Sequence, residues 1–429
     1  MKRSLKSSYI FLGKWILLAF LGGISGCFIV RSFIILTGSI STFLSTVPVP
    51  IFLWSILGAA VTGGILYKFE PHAAGEGIPA YIRDITKNKG IFSFSVTFFK
   101  YWSACATIAT FGNGGILGPL GRVSAGIMSF FSGKCKRLCN PDDVRTASIC
   151  GLAAVTGSIF QSSIGGGIFA VEIIQRAKLG YKDIFPAILA STIAVFISKA
   201  FGWKPFYGVN TVNQFMDLHK IGILLLLTIV SGAVGGLYIK TYTLVSKIFK
   251  RAQGNVFLKV LLGSFFAAVC AWLINPELLG TSGLLLNGIL SMNEEVLYGS
   301  FGNSVPIVLI LIILLLGKAL FSSVTVGSGM SAGFTGPAVI MGILLGSVFS
   351  NLFGIQPGSP TYYAFLAAGF SGVLASSMNI PLAAAIMTVE IFGPSYSLPG
   401  ALAAIVGFQV TRAQTIYDYA LIQPDLDQE

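Results

Sequence analysis

Three glutamates stand within or beside apolar stretches of the chain: Glu76, Glu172 and Glu390. A carboxylate next to hydrocarbon is expensive. It must face protein or water, carry a proton, or hold a cation. The chain also carries a glycine-rich break in its apolar sequence, Gly112-Asn113-Gly114-Gly115-Ile116-Leu117-Gly118-Pro119-Leu120-Gly121-Arg122. Glycine and proline end one helix there, and Pro119 suits the first turn of the next. The start of that helix leaves backbone N–H groups without intrahelical partners. In a bilayer such groups must line a cavity or be buried in protein. A helix start that faces a cavity is a ready site for an anion.

The elements that position these residues occur twice. Gly327-Ser328-Gly329-Met330-Ser331-Ala332-Gly333-Phe334-Thr335-Gly336-Pro337 repeats the break 215 positions later, with Gly118–Arg122 lying over Gly333–Pro337. The turn Glu70–Pro79, which contains Glu76, is echoed by Asn275–Leu284, about 205 positions on. Gln161–Ile173 lies over Asn379–Ile391, 218 positions apart, with Glu172 over Glu390. Two interrupted apolar segments in corresponding halves point to a transport site. The pattern divides the chain into a basic tail (1–14), a first membrane helix region (15–46), repeat 1 (47–205), a connecting helix and basic segment (206–254), repeat 2 (255–412) and a tail (413–429). Whether the halves run parallel or inverted is left open by the sequence.

Composition sets the class. Of 429 residues, 54% are hydrophobic and 10% charged, with mean hydropathy +0.82. A soluble domain carries about 25% charged residues, so the chain is read as polytopic and all-helical in a membrane. Apolar runs of spanning length lie at 15–37, 47–69, 186–202, 221–239, 257–275, 299–323 and 336–354. The shorter runs between them imply tilted and partial helices. Fifty-one glycines suit close helix packing where lipid removes the hydrophobic incentive. The net charge of +12 gathers in short loops, including Lys2-Arg3, Lys134-Lys136-Arg137 and Lys247–Arg251. That distribution places the N-terminus in the cytoplasm by the positive-inside rule and offers no nucleic-acid module. The six cysteines read as reduced thiols, because neither Cys135 nor Cys139 has a neighbouring His to complete a zinc site. His72 and His219 lie in loops, so no apolar run supplies the base a nucleophilic enzyme needs. No enzyme activity, cofactor or metal is expected. Carboxylates keep a cation pathway as a rival, which the three helix starts oppose.

These motifs resemble the CLC family of chloride channels and proton-coupled chloride transporters. Gly75-Glu76-Gly77-Ile78-Pro79 is similar to the family's G-S-G-I-P, Gly118–Arg122 to its G-[KR]-E-G-P, and Gly333–Pro337 to its G-x-F-x-P. Ile416-Tyr417 falls where the family places a pore tyrosine. The resemblance implies a homodimer in the cell membrane. Each subunit has one pore built from two inverted repeats of tilted, broken helices. It implies a chloride or other small anion held by helix starts, backbone amides and two hydroxyls, at positions matching Glu76, Gly77, Ile78, Leu120, Gly121, Phe334, Thr335 and Tyr417.

The chain departs from the family's pattern at positions that matter. Leu120 stands where the resemblance puts the gating glutamate, and Ile173 where many antiporters have an inner proton-relay glutamate. Glu76 replaces the serine whose hydroxyl touches the anion, Thr335 replaces the phenylalanine, and Pro119 lacks an amide N–H. Three readings of Glu76 stay open: a protonatable gate, a protonated donor to the anion, or a loop residue paired with a neighbour such as Arg83. Glu172 and Glu390 read as structural, bonded to buried backbone. Arg122 reads as a charge at the pore mouth. The function expected is channel-like or passive anion transport. The alternative is an unconventional proton-coupled exchanger that uses Glu76, or a carrier of another ion.

Overall fold

A computed structural model describes residues 2–135, 139–174, 180–209, 211–212, 214–301, 305–412 and 414–417. Lys136, Arg137 and the tail beyond Tyr417 lie outside the described residues. The helices are α1 (Lys2–Thr46), α2 (Ile51–Lys68), α3 (Ile78–Thr86), α4 (Phe94–Ala109), α5 (Leu117–Lys134), α6 (Pro141–Phe160), α7 (Ser163–Glu172), α8 (Tyr181–Ala200) and α9 (Ile221–Arg251). The second half continues with α10 (Val256–Ile274), α11 (Gly283–Ser291), α12 (Glu294–Tyr298), α13 (Ile307–Ser328), α14 (Thr335–Leu352), α15 (Pro360–Met378), α16 (Pro381–Phe392) and α17 (Ser397–Thr411). The fold is an all-helical polytopic bundle.

Among the described residues, seven helical stretches are long and apolar enough to cross a membrane, from Gly13–Thr46 to Thr335–Leu352. Each overlaps one of the expected runs. Several boundaries differ from expectation: α1 runs on to Thr46 and α9 to Arg251, and α13 begins at Ile307 rather than 299. α1 begins at Lys2 instead of near Trp15, because the basic segment before Trp15 contains no proline to stop a helix. α2 begins at Ile51 instead of Val47, because Pro48 and Pro50 hold the preceding backbone extended. Arg31, inside α1, lies 5.2 Å from the Trp203 ring centroid, so its charge faces protein.

Each half packs on its own long helices, and the halves meet where α2 packs on α10, α7 on α16 and α5 on α14. α5 packs on α6, α14 on α15, and α15 on α17, which buries α6, α14 and α15 almost completely. Gly342 and Gly369 touch there: a Cβ on Gly342 would come within 2.5 Å of the Gly369 carbonyl oxygen. The short helices α7 and α16 cross-cap each other. Glu172 accepts from the Leu382 and Ala383 amides at 3.0 and 2.7 Å, at the start of α16. Glu390 accepts from the Ile164 and Gly165 amides at 3.0 and 2.9 Å, at the start of α7, and from the Ser162 hydroxyl. Glu172 is buried and bonded to backbone, as expected; Glu390 is also bonded to backbone, but it is half-buried and its Ile164 partner is exposed.

Candidate anion site at three helix starts

The two glycine-rich breaks join each other. Gly115 N–H donates to the Gly333 carbonyl at 2.8 Å, and Gly333 N–H donates to the Gly115 carbonyl at 2.7 Å, in an isolated antiparallel bridge. A reciprocal pair of this kind is what a two-fold axis between the repeats produces. Helix α5 leaves the bridge on one side and α14 on the other. Glycine is needed at the bridge for space: a Cβ on Gly115 would lie 2.7 Å from the Gly336 amide nitrogen.

The start of α3 closes on the same point. A Cβ on Gly77 would lie 2.0 Å from the Gly118 carbonyl oxygen, and one on Gly118 would lie 1.8 Å from Glu76 Oε1. A Cβ on Gly333 would lie 3.0 Å from the Gly118 amide nitrogen and 3.4 Å from Glu76 Oε1. The Glu76 carboxylate therefore sits where α3, α5 and α14 all begin. Its Oε2 accepts from the Ile78 amide, while Oε1 has no hydrogen-bond partner. Burial opposes its charge most strongly, and the Ile78 amide, the Lys100 ammonium and the Phe334 amide offset that only in part. Glu76 is 7% exposed. It does not turn away to bond a loop neighbour; Arg83 instead contacts Asp84 at 3.2 Å.

The remaining expected residues fall as follows. Ile78, Leu120, Phe334, Thr335 and Tyr417 are all fully buried. Tyr417 reaches the site because Ile416 N–H donates to the Ser377 carbonyl at 2.9 Å and the Thr415 hydroxyl donates to the Met378 carbonyl at 3.3 Å. Its ring lies 6.4 Å from that of Phe334, and its hydroxyl has no hydrogen-bond partner. The bridge and the helix starts correct the expected register: Gly115–Pro119, not Gly118–Arg122, lies over Gly333–Pro337, so Leu117 rather than Leu120 stands over Thr335. Both leucines are buried and bring no polar group, and the Leu120 amide is bonded to the Ile116 carbonyl at 3.1 Å. Gly121 packs against Leu152. Ile173 is a buried apolar residue after α7.

Arg122 departs from expectation. It is 1% exposed, bonded to Asp84 Oδ2 at 3.1 Å and to the Thr97 hydroxyl at 3.3 Å, with its guanidinium 4.4 Å from the Phe92 ring centroid. It is not a charge at a pore mouth. An arginine inside a membrane protein needs a buried counter-ion, and α3 supplies one 38 positions earlier in the sequence.

Two buried lysines went unnoticed in the sequence. Lys100 donates to the carbonyls of Ala73 and Ala74 at 3.0 and 3.4 Å and to that of Gly75. Lys318 donates to the carbonyls of Leu278 and Gly280 at 3.2 and 3.3 Å, and to Asn113 Oδ1 and Ser282 Oγ at 2.7 Å each. The lysines stand 218 positions apart, the same offset as Glu172 and Glu390. That offset was the available signal. Each lysine gathers the carbonyls of the turn before a short helix, α3 or α11. In the first repeat the next residue is Glu76; in the second it is Thr281.

Helices that break at mid-bundle, joined through paired glycine turns around a buried cradle of amides, define an anion-transport class. The chain belongs to the voltage-gated chloride channel family, whose model matches residues 58–412. It is 28% identical over 357 residues to an uncharacterized protein of Methanocaldococcus jannaschii, covering 83% of this chain and 84% of that one. It is 24% identical over 394 residues to the H+/Cl− exchange transporter ClcA of Vibrio cholerae, covering 86% of this chain and 78% of that one. In fold it is similar to a crystal structure of a CLC-type fluoride/proton antiporter, with a TM-score of 0.80, 19% identity and coverage of 97% and 98%.

Proposed function

We propose that the protein carries chloride or a similar small anion passively across the membrane, with Glu76 as its gate. The observation that carries this reading is the place of the Glu76 carboxylate. It is itself an anion, buried among three helix starts and accepting the Ile78 amide. Amides and dipole ends that hold a carboxylate suit a mobile anion as well, without a fixed full charge to trap it. A charged carboxylate and an anion about 4 Å apart repel by about 4 kcal/mol at an effective dielectric of 20. For an anion to enter, Glu76 swings aside or takes a proton. Tyr417 and Thr335 offer the anion hydroxyls, and the amides of Ile78, Gly118 and Phe334 lie at the starts of the three helices that frame the site.

Proton coupling is the second reading, favoured by the same buried carboxylate. Against it, a proton leaving Glu76 for the inner side finds no acceptor at Ile173. Glu172 uses both oxygens on the α16 amides. The protein acts as a homodimer in the cell membrane, with its basic N-terminal segment in the cytoplasm and repeats of 47–205 and 255–412 forming one pathway per subunit.

The test is flux from liposomes holding purified protein, with a chloride gradient and a simultaneous proton readout. Chloride movement without protons is the expected result. Protons driven uphill by the chloride gradient would establish the exchanger instead. A reversal potential of cationic sign would overturn both.

A further inference from the structure

The loop after α8 carries a buried phenol that no family motif assigns. Tyr207 is 3% exposed. Its backbone is set by its neighbour, whose Phe206 N–H donates to the Ile159 carbonyl at 2.9 Å. Its ring stacks on Phe160 with centroids 5.4 Å apart and planes 22° from parallel. Its hydroxyl has no hydrogen-bond partner. A phenol in such a setting normally finds one.

The hydroxyl points at a helix start. A Cβ added to Gly336, the second residue of α14, would come within 2.3 Å of Tyr207 Oη and within 2.9 Å of Gly115 Cα. Gly336 therefore leaves the room that the phenol fills, beside the bridge between the two breaks. Tyr207 and Tyr417 stand 210 positions apart, within the offsets of 205 to 218 that relate the repeats. Each follows the last long helix of its half, α8 or α17, by six or seven residues. Each places its hydroxyl near the start of α14; that of Tyr417 lies beside the Thr335 hydroxyl, while that of Tyr207 has no partner. In inverted repeats, equivalent residues lie toward opposite membrane faces.

A cavity of about 450 Å³, with Glu277 among its walls, reaches Phe206, the residue before Tyr207. It is lined by Thr37 and Ser41 near the end of α1, by Thr281 and Ser282 before α11, and by Ile116 and Phe206. Its floor thus reaches the residue before α5 and the residue before Tyr207.

We infer that Tyr207 is the counterpart of Tyr417 on the far side of the bridge, its hydroxyl donating to a partly dehydrated small anion that enters from this cavity. Tyr207 Oη reaches Gly336 beside the bridge, so an anion there meets its hydroxyl. This rests on the anion-transport reading above and adds a second ligand to it.

Chloride binding to purified wild type and Tyr207→Phe, measured by calorimetry beside liposome efflux, tests the proposal. Phenylalanine keeps the stack on Phe160 and removes only the hydroxyl. The expected result is chloride affinity weakened about tenfold, the usual scale for losing one hydrogen bond to a charged partner, with elution volume and melting temperature close to wild type. Unchanged affinity and efflux in Tyr207→Phe, beside an active wild type, would overturn the role of Tyr207 alone. A wild type that neither binds nor moves chloride would instead overturn the underlying transport reading. A second measurement does not depend on how the variant folds. In protein carrying 3-fluorotyrosine, the fluorine resonance of residue 207, assigned with Tyr207→Phe or by site-specific incorporation, shifts on chloride titration if the hydroxyl touches the anion. A resonance that stays fixed through saturation counts against it.

Discussion

Glu172 ends α7 and caps the start of α16, while Glu390, near the end of α16, caps the start of α7. The two residues perform one task in exchanged directions. Neither helix start can be satisfied by its own repeat, so each carboxylate joins the halves. Charge-assisted bonds to buried amides contribute about 1.5–3 kcal/mol each. Replacing either residue with alanine is expected to cost about 2–4 kcal/mol, read as a lowered melting temperature in detergent. The double alanine variant should lose less than the sum, because the first loss already loosens the shared contact. Full additivity would show that the two caps act independently. The proton readout in flux assays should not respond to either change.

The proposed gate at Glu76 acts through its charge. Glu76→Gln and Glu76→Ser remove a charge from the site, and chloride flux at neutral pH should rise by about tenfold to a thousandfold. The upper end is the fold-change equivalent of about 4 kcal/mol of relieved repulsion. In the wild type, flux should increase as the pH falls, since protonation neutralises the carboxylate. In both variants that slope should vanish. A glutamine variant with wild-type flux and wild-type pH dependence would remove Glu76 from the pathway.

Gly118 is held to glycine by its neighbour. An alanine there would put a methyl group 1.8 Å from Glu76 Oε1, closer than any real contact. Gly118→Ala alone should lower the melting temperature or displace the carboxylate and alter flux. Combining it with Glu76→Ser removes the clash, so the pair should recover stability relative to Gly118→Ala. A double variant no better than the single one would show that the clash lies elsewhere.

Lys100 and Lys318 separate structure from electrostatics within one molecule. Each draws together the carbonyls of a tight turn. Replacing either with methionine keeps the stem and strands those carbonyls, at about 1–3 kcal/mol for each group left unsatisfied. Both variants should melt earlier. Only Lys100 also favours the charge on Glu76. Lys100→Met should therefore move the pH dependence of flux toward higher pH, because the neutral acid is then favoured. Lys318→Met should leave it in place. Equal movement in both would point to general loosening.

The glycine breaks and their repetition were legible in the sequence, because glycine spacing and apolar length are local signals. The register between the breaks was misread as 215: the Gly115–Gly333 bridge and the helix starts at Leu117 and Thr335 set it at 218, and glycines recurring every few residues allow either alignment. So was the structural use of Glu172 and Glu390, each at the end of an apolar helix. Arg122 was misread because its counter-ion, Asp84, lies on a different helix, and a charge in a sequence carries no direction. The orientation of Glu76 depends on two helices that approach it from both halves, and no spacing rule gives that. Lys100 and Lys318 were passed over for the opposite reason: their partners are carbonyls, which every residue has. Tyr207 sits in an irregular loop, where periodicity says nothing about burial.

The bridge between Gly115 and Gly333 has a consequence for how the chain is made. Repeat 1 emerges from the ribosome well before Gly333 exists. Until then, Gly115 and the amides that start α5 lie in the newly inserted half without their later partners, at a depth where lipid offers none. That half must hold water or recruit a membrane-embedded helper until repeat 2 docks. The Gly115–Gly333 bridge can therefore form only after repeat 2 has been made, and a chain stalled between the repeats keeps these glycine amides without the partners they find in the finished fold.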